Sequence, residues 1–180
     1  MYQCNARRVV QSVLGLIGAA ILTGCAVPFP VYTISTSNIV ALRDANRLVK
    51  INTFKGSQTS VSCRLQPISP EGGRTFAKYI QDAFNDEIVV ANPKNPPAIT
   101  VDATLTNIDV DCAMGTASWT IEMDVSVNGQ ATFAAKVSRT FEGSFAGAIV
   151  GQRAYQAFVP TVQEAVKAII SHPTFQSALR

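Results

Sequence analysis

ITVDATLTNIDVDCAMGTASWTIEMDVSVNGQATFAAKVSRTF, residues 99–141, alternates apolar and polar side chains more regularly than any other part of the chain. Ile99, Val101, Ala103 and Leu105 share one side while Thr100, Asp102, Thr104 and Thr106 share the other, the two-residue period of a half-buried strand. The phase shifts at Asn107, after which Ile108, Val110 and Cys112 take up the apolar side; a β-bulge near Asn107 is the simplest cause. Beyond the Ala113–Thr116 connection, Ala117, Trp119, Ile121, Met123, Val125 and Val127 alternate with Ser118, Thr120, Glu122, Asp124 and Ser126. Asn128-Gly129 supplies the two positive-φ positions of a type I′ hairpin, and Ala131, Phe133, Ala135, Val137 and Phe141 carry a third strand. Three such strands in succession predict an antiparallel meander with one apolar and one polar face.

The apolar face needs a cover, and the flanking sequence offers two helices. Over Arg74–Glu87, Phe76, Ile80 and Phe84 recur at four-residue spacing, with Ala77, Tyr79 and Ala83 widening the stripe. From about Ala148 to Ser171, Tyr155, Phe158, Val159, Val162, Val166, Ile169 and Ile170 form a longer stripe, which Pro160 is expected to kink or divide. A short final turn follows His172-Pro173. Upstream, Leu48–Phe54 reads as a strand, residues 56–70 as a polar loop carrying Cys63, and the run Asn92–Pro97 as a break. The order strand, helix, three strands, helix predicts an α+β two-layer domain, with an antiparallel sheet of about four strands and helices on one face.

At the other end of the chain, Arg7 and Arg8 precede an apolar run, Val9–Leu22, which ends in Leu22-Thr23-Gly24-Cys25. The run has the length of a signal-peptide core and is short for a bilayer span. The ending resembles the lipobox of bacterial lipoproteins, in which small residues before a cysteine admit a lipoprotein signal peptidase and the cysteine becomes the acylated first residue. The resemblance implies three parts: a signal peptide over 1–24, a lipidated N-terminus and flexible tether over 25–46 that begins at Cys25, and one domain over 47–180. Residues 26–45 are rich in Pro, Ser and Thr, which suits a tether. Where an aspartate after the cysteine would favour the inner membrane, this chain has Ala26, which implies the outer membrane. Each buried methylene of an acyl chain contributes about 0.8 kcal/mol, so three chains would hold the protein at the bilayer essentially permanently.

Removal of residues 1–24 takes Arg7 and Arg8 with it, so 13 of the 15 basic side chains remain, against 12 acidic ones. A near-neutral domain without a basic run argues against nucleic-acid binding. Of four cysteines, Cys4 leaves and Cys25 takes the lipid, so Cys63 and Cys112 are left in an oxidising compartment. A disulfide between them is the expectation, two separate thiols the alternative; their spacing suits neither a zinc site nor a CxxC redox motif.

The inventory for catalysis is thin. The single histidine, His172, stands at a helix end, where a cation meets the helix dipole favourably. Nucleophile-elbow, H-E-x-x-H and P-loop motifs are absent. Asp102, Asp109, Asp111, Glu122 and Asp124 could meet on the polar strand face and take a hard cation, but they lack EF-hand spacing and read as a solvated face. Gly143-Ser144-Phe145-Ala146-Gly147 could offer backbone N–H groups to an anion, though a plain strand-to-helix connection is the simpler account. Trp119 is in phase with the core residues of its strand, as are Phe76, Phe84, Phe133, Phe141 and Phe158 with theirs.

Element order and lipobox together resemble the small periplasm-facing lipoproteins of envelope machines: ABC-transport auxiliary lipoproteins, YajG-type lipoproteins and lipoprotein activators of penicillin-binding proteins. That resemblance implies a non-enzymatic, palmitate-bearing outer-membrane lipoprotein whose domain faces the periplasm. It would act as an accessory subunit of an envelope or transport assembly, through a protein partner or as a homo-oligomer, with no cofactor and no metal. The alternative is a carrier or sensor of a lipid or small apolar ligand, in a cavity lined by Trp119, Met123, Phe133 and Phe158.

Overall fold

A computed structural model describes residues 29–44, 48–91 and 98–179. Residues 1–24, expected as a signal peptide, Cys25 and the Asn92–Pro97 run lie outside the described residues. The elements in chain order are α1 (Thr36–Asp44), β1 (Val49–Lys55), β2 (Val61–Cys63), β3 (Gln66–Ile68), a short 3-10 turn (Glu71–Gly73), α2 (Phe76–Ala91), β4 (Ile99–Asp111), β5 (Thr116–Val127), β6 (Ala131–Glu142), α3 (Gly147–Ser171) and α4 (Pro173–Ala178).

The meander is as the alternation predicts. β4 pairs antiparallel with β5 and β5 with β6, and the register slips by one residue between Leu105 and Asn107. Below that bulge Val101 and Ala103 are buried, and above it Ile108 and Val110. Asn128 and Gly129 hold positive φ values of 54° and 67° in the β5–β6 turn, as a type I′ turn requires.

The sheet is mixed rather than wholly antiparallel. Its order is β1-β4-β5-β6, and β1 runs parallel to β4, with Val49 opposite Ile99 and Ile51 opposite Val101. A parallel neighbour needs a crossover instead of a hairpin, and α2 lies on the path between the two strands. β1 carries its own bulge between Ile51 and Phe54, which turns Phe54 inward, where simple alternation would have buried Thr53.

Helices α2 and α3 cover one face, α2 over β1 and α3 over β5 and β6, and among the described residues the other sheet face carries no helix. Trp119, Phe76, Phe84 and Phe158 are fully buried between the layers. The ring of Phe158 lies 4.9 Å from Trp119, 5.6 Å from Phe76 and 5.2 Å from Tyr79. The indole N–H of Trp119 donates to the carbonyl of Ala154 on α3 at 2.8 Å, so the largest core side chain has its one polar atom satisfied.

Three further differences from expectation have physical causes. Pro160 does not divide α3, which is continuous over 25 residues. Gln156, whose carbonyl would otherwise accept from residue 160, is exposed, and the buried Thr161 hydroxyl bonds back to the Ala157 carbonyl at 2.7 Å. The expected loop over 56–70 contains the β2–β3 hairpin, whose three-residue strands are too short to show a period. The expected tether is packed from Phe29 onward: its ring sits 5.0 Å from Phe158 and 5.4 Å from Tyr79, and α1 then packs over α2 and α3. A buried aromatic ring offsets the ordering cost of the segment, which its Pro, Ser and Thr content does not reveal.

Candidate functional site

β6 forms one edge of the sheet among the described residues, twelve residues long, and α3 runs beside it. Between them lies a groove of about 350 Å³, and a second of about 380 Å³ adjoins it between α3 and residues 35–38; Arg139 and Pro160 line both. The first is lined by Thr140, Phe141, Glu142, Arg153 and Gln156, the second by Ser35, Asn38, Gln163, Glu164 and Lys167. Arg139 on β6 pairs with Glu164 on α3 across the groove, and Arg153 pairs with Glu142 at 3.2 Å. An edge strand flanked by a helix presents a row of backbone donors and acceptors beside a channel for side chains, the geometry by which a sheet accepts an added strand.

The N-terminal segment is held in place by a buried carboxylate that sequence patterning did not single out. Glu87 of α2 is fully buried. Its Oε1 accepts from the Tyr32 hydroxyl, from the Ser35 N–H at 3.1 Å and from Asn38 Nδ2 at 3.2 Å. Asn38 also donates to the Gln163 carbonyl at 3.0 Å, and Gln163 Nε2 donates to the Thr33 carbonyl at 2.7 Å, so α1, α2 and α3 meet in one network. Oε2 has no partner. Burial raises the Glu87 carboxyl above its ordinary range, against the three hydrogen bonds that favour its anion. Burial and the hydrogen bond to Glu87 push the Tyr32 phenol up as well. Tyr79, which donates to the Pro30 carbonyl at 2.9 Å, is pushed up by burial to about 12, with Arg74 acting in the opposite sense. Glu87 falls in the expected helix, but its register on the apolar side was the only available signal.

Cys63 and Cys112 are joined by a disulfide, with Cα atoms 5.4 Å apart, so the two-thiol alternative is set aside. The bond ties the β2–β3 hairpin to the end of β4. Next to it Arg64, at φ 56°, turns its guanidinium into the loops: Nε donates to the Cys112 carbonyl at 3.2 Å, and the two terminal nitrogens donate to the Ser144 and Phe145 carbonyls. Arg153 adds a hydrogen bond to the Gly143 carbonyl at 2.8 Å. The 143–147 loop thus turns carbonyl oxygens toward two guanidinium groups, the reverse of an anion cradle.

The acidic residues do not converge. Asp102 accepts from Asn52 Nδ2 at 2.8 Å and from the Thr53 N–H at 3.2 Å, fastening the β1 bulge. Glu122 pairs with Lys136 at 2.6 Å, while Asp109, Asp111 and Asp124 stand opposite Thr120, Ser118 and Ala134. Among the described residues no three His, Cys, Asp or Glu side chains are placed to hold a metal ion. His172 stands at a helix end as expected, at the junction of α3 and α4: its Nδ1 accepts from the Thr174 N–H at 3.2 Å, capping α4, and its ring stacks on Phe133 at 3.8 Å. Trp119, Met123 and Phe158 are packed in the core, and none of the grooves described above is lined by them or by Phe133. A cleft beside Tyr32, Arg74 and Tyr79 measures about 130 Å³, small against the 300 Å³ or so at which ligand pockets begin.

No family model matches this chain, and no curated protein matches it. Solved structures similar to it in part include two bacterial proteins. A protein from Xanthomonas campestris described with the family model DUF330 superposes with a TM-score of 0.47 at 14% identity, over 73% of this chain and 86% of that one. A candidate lipoprotein from Caulobacter crescentus superposes with a TM-score of 0.46 at 12% identity, over 78% of this chain and 97% of that one. No residue role is carried over from either.

Proposed function

We propose that the chain is a lipoprotein anchored by acylated Cys25 to the outer membrane, with its domain in the periplasm, and that it serves as a non-enzymatic accessory subunit of an envelope or transport assembly. The groove between the β6 edge and α3 carries the contact half of this proposal, because an edge unpaired among the described residues, beside a helix, fits an extended strand of an envelope protein partner. A second copy of this chain is the competing occupant. The anchor half is supported by cysteine usage. With Cys63 and Cys112 bonded to each other, Cys25 is the remaining cysteine after residue 24, and it stands at the end of the lipobox-like run. None of the described helices is long and apolar enough to cross a membrane.

A photo-crosslinking amino acid in place of Thr140, exposed on β6, tests the contact in living cells. An adduct with an envelope protein is the expected result; adducts with lipid alone would overturn the accessory role. Cys25→Ala tests the anchor, since acyl labelling that persists in that variant would refute it.

A further inference from the structure

Three loop tips and a helix end gather at one end of the domain. Leu65 at the β2–β3 turn is 99% exposed, Phe145 between β6 and α3 82%, Met114 between β4 and β5 58%, and Ile149 in the first turn of α3 47%. The disulfide and Arg64 hold them together. Arg64, adjacent to Leu65, donates to the carbonyls of Cys112, Ser144 and Phe145. Gly143 packs so closely on the β4–β5 connection that a Cβ there would lie 2.9 Å from the Met114 carbonyl carbon. Four large apolar side chains on loops braced against one another thus stand exposed at this end of the domain as an apolar patch.

The chain outside the described residues indicates what covers it. Phe29 is in the core, so four residue steps separate it from Cys25, a span of at most about 14 Å. A domain of this length has a radius of gyration of about 15 Å, so an anchor at Cys25 cannot let the flank that bears Phe29 turn away from the bilayer. That flank is continuous with the patch. The Phe29 ring lies 5.8 Å from Tyr155, the Tyr155 hydroxyl donates to the Pro67 carbonyl at 3.5 Å, and Pro67 is two residues from Leu65. Gln66 lies directly on α3 at Gly151, two residues after Ile149.

We infer that Leu65, Met114, Phe145 and Ile149 form a membrane seat, which dips into the acyl boundary of the bilayer that holds the Cys25 lipid. This rests on the lipid-anchor reading of Cys25. Anchor and seat together fix the domain's orientation, with the β6 groove, which begins at Glu142 and Arg153 next to the 143–147 loop, opening beside the seat. Leu and Phe at loop tips gain from transfer out of water in the manner of interfacial side chains.

The test uses the full-length protein purified from membranes and placed in phosphatidylethanolamine–phosphatidylglycerol vesicles with brominated acyl chains. Trp119 is fully buried, so an added indole can be read against it. F145W should lose severalfold more fluorescence to the brominated chains than A134W, placed on the exposed side of β6; L65W repeats the reading if F145W misfolds. Equal quenching in protein whose mass shows acyl chains on Cys25 would overturn the seat and leave the anchor standing. A protein adduct from a photo-crosslinker at Met114 without lipid quenching would overturn it in favour of a protein-docking surface. Absence of acyl mass on Cys25 would refute the anchor and the seat with it.

Discussion

Glu87 Oε1 accepts a hydrogen bond from Asn38 Nδ2 at 3.2 Å, joining α2 to a segment 49 positions earlier in the chain. The bond turns what composition describes as a linker into part of the domain. It also places an ionisable group where its charge must be carried without water.

Stability should therefore depend on the protonation of Glu87. Burial raises its folded-state pKa above the ordinary 4.5, so over the range above 4.5 the folded protein keeps a proton that the unfolded chain has lost. The folded state then binds more protons, and stability falls as pH rises from about 4.5 through the raised value. Glu87→Gln should flatten that part of the profile. Thermal melts of both proteins between acid and neutral pH test this, and parallel profiles would exclude Glu87 as the titrating group.

Phe29 closes the aromatic cluster over Tyr79, Tyr155 and Phe158. Phe29→Ala should destabilise the protein by about 3 kcal/mol, in the usual range for a buried Phe. The loss should be local at first. Limited proteolysis should cut within residues 29–44 well before the sheet, whereas the parent protein should resist there; equal resistance would mean that α1 holds by Glu87 alone.

Reduction of Cys63–Cys112 releases a cross-link between residues 49 positions apart. In the chain-entropy estimate this costs about 4 kcal/mol. The double variant Cys63→Ser, Cys112→Ser should melt well below the parent by calorimetry, and it should also free the Arg64 turn. A melting temperature unchanged by reductant would contradict the bond.

Gly143 sits where the β6–α3 loop crosses the β4–β5 connection, and a Cβ there would lie 2.1 Å from the Ala113 carbonyl oxygen. Backbone cannot yield as a side-chain tip can, so Gly143→Ala should cost about 1–3 kcal/mol. Gly115→Ala is the internal control, since nothing lies within 4 Å of its Cβ position. Comparable denaturation midpoints for the two variants would refute the close approach.

How far the fold was legible follows the length of each element. β4, β5 and β6, at 13, 12 and 12 residues, repeat their period often enough to show strand, face and bulge, and α2 and α3 do the same at helical spacing. β2 and β3 are three residues each, and α1 presents only Asn38, Ile39 and Leu42 to the core. Elements that short have their stability supplied by neighbours, here the disulfide, Glu87 and the aromatic cluster, so their own residues carry little pattern. Of the site residues, the Cys63–Cys112 pairing was accessible by counting cysteines. The β6 groove and the loop-tip patch were not, since each is assembled from segments far apart in the chain.

What sequence by itself determined is the lipobox-like ending at Cys25 and the three-strand meander with two covering helices, because each is written in consecutive residues. Only the tertiary structure decided that β1 joins the sheet parallel, that the chain is already core at Phe29, and that Leu65, Met114, Phe145 and Ile149 share one end. Those depend on which distant surfaces bury one another, a relation that local periodicity does not encode.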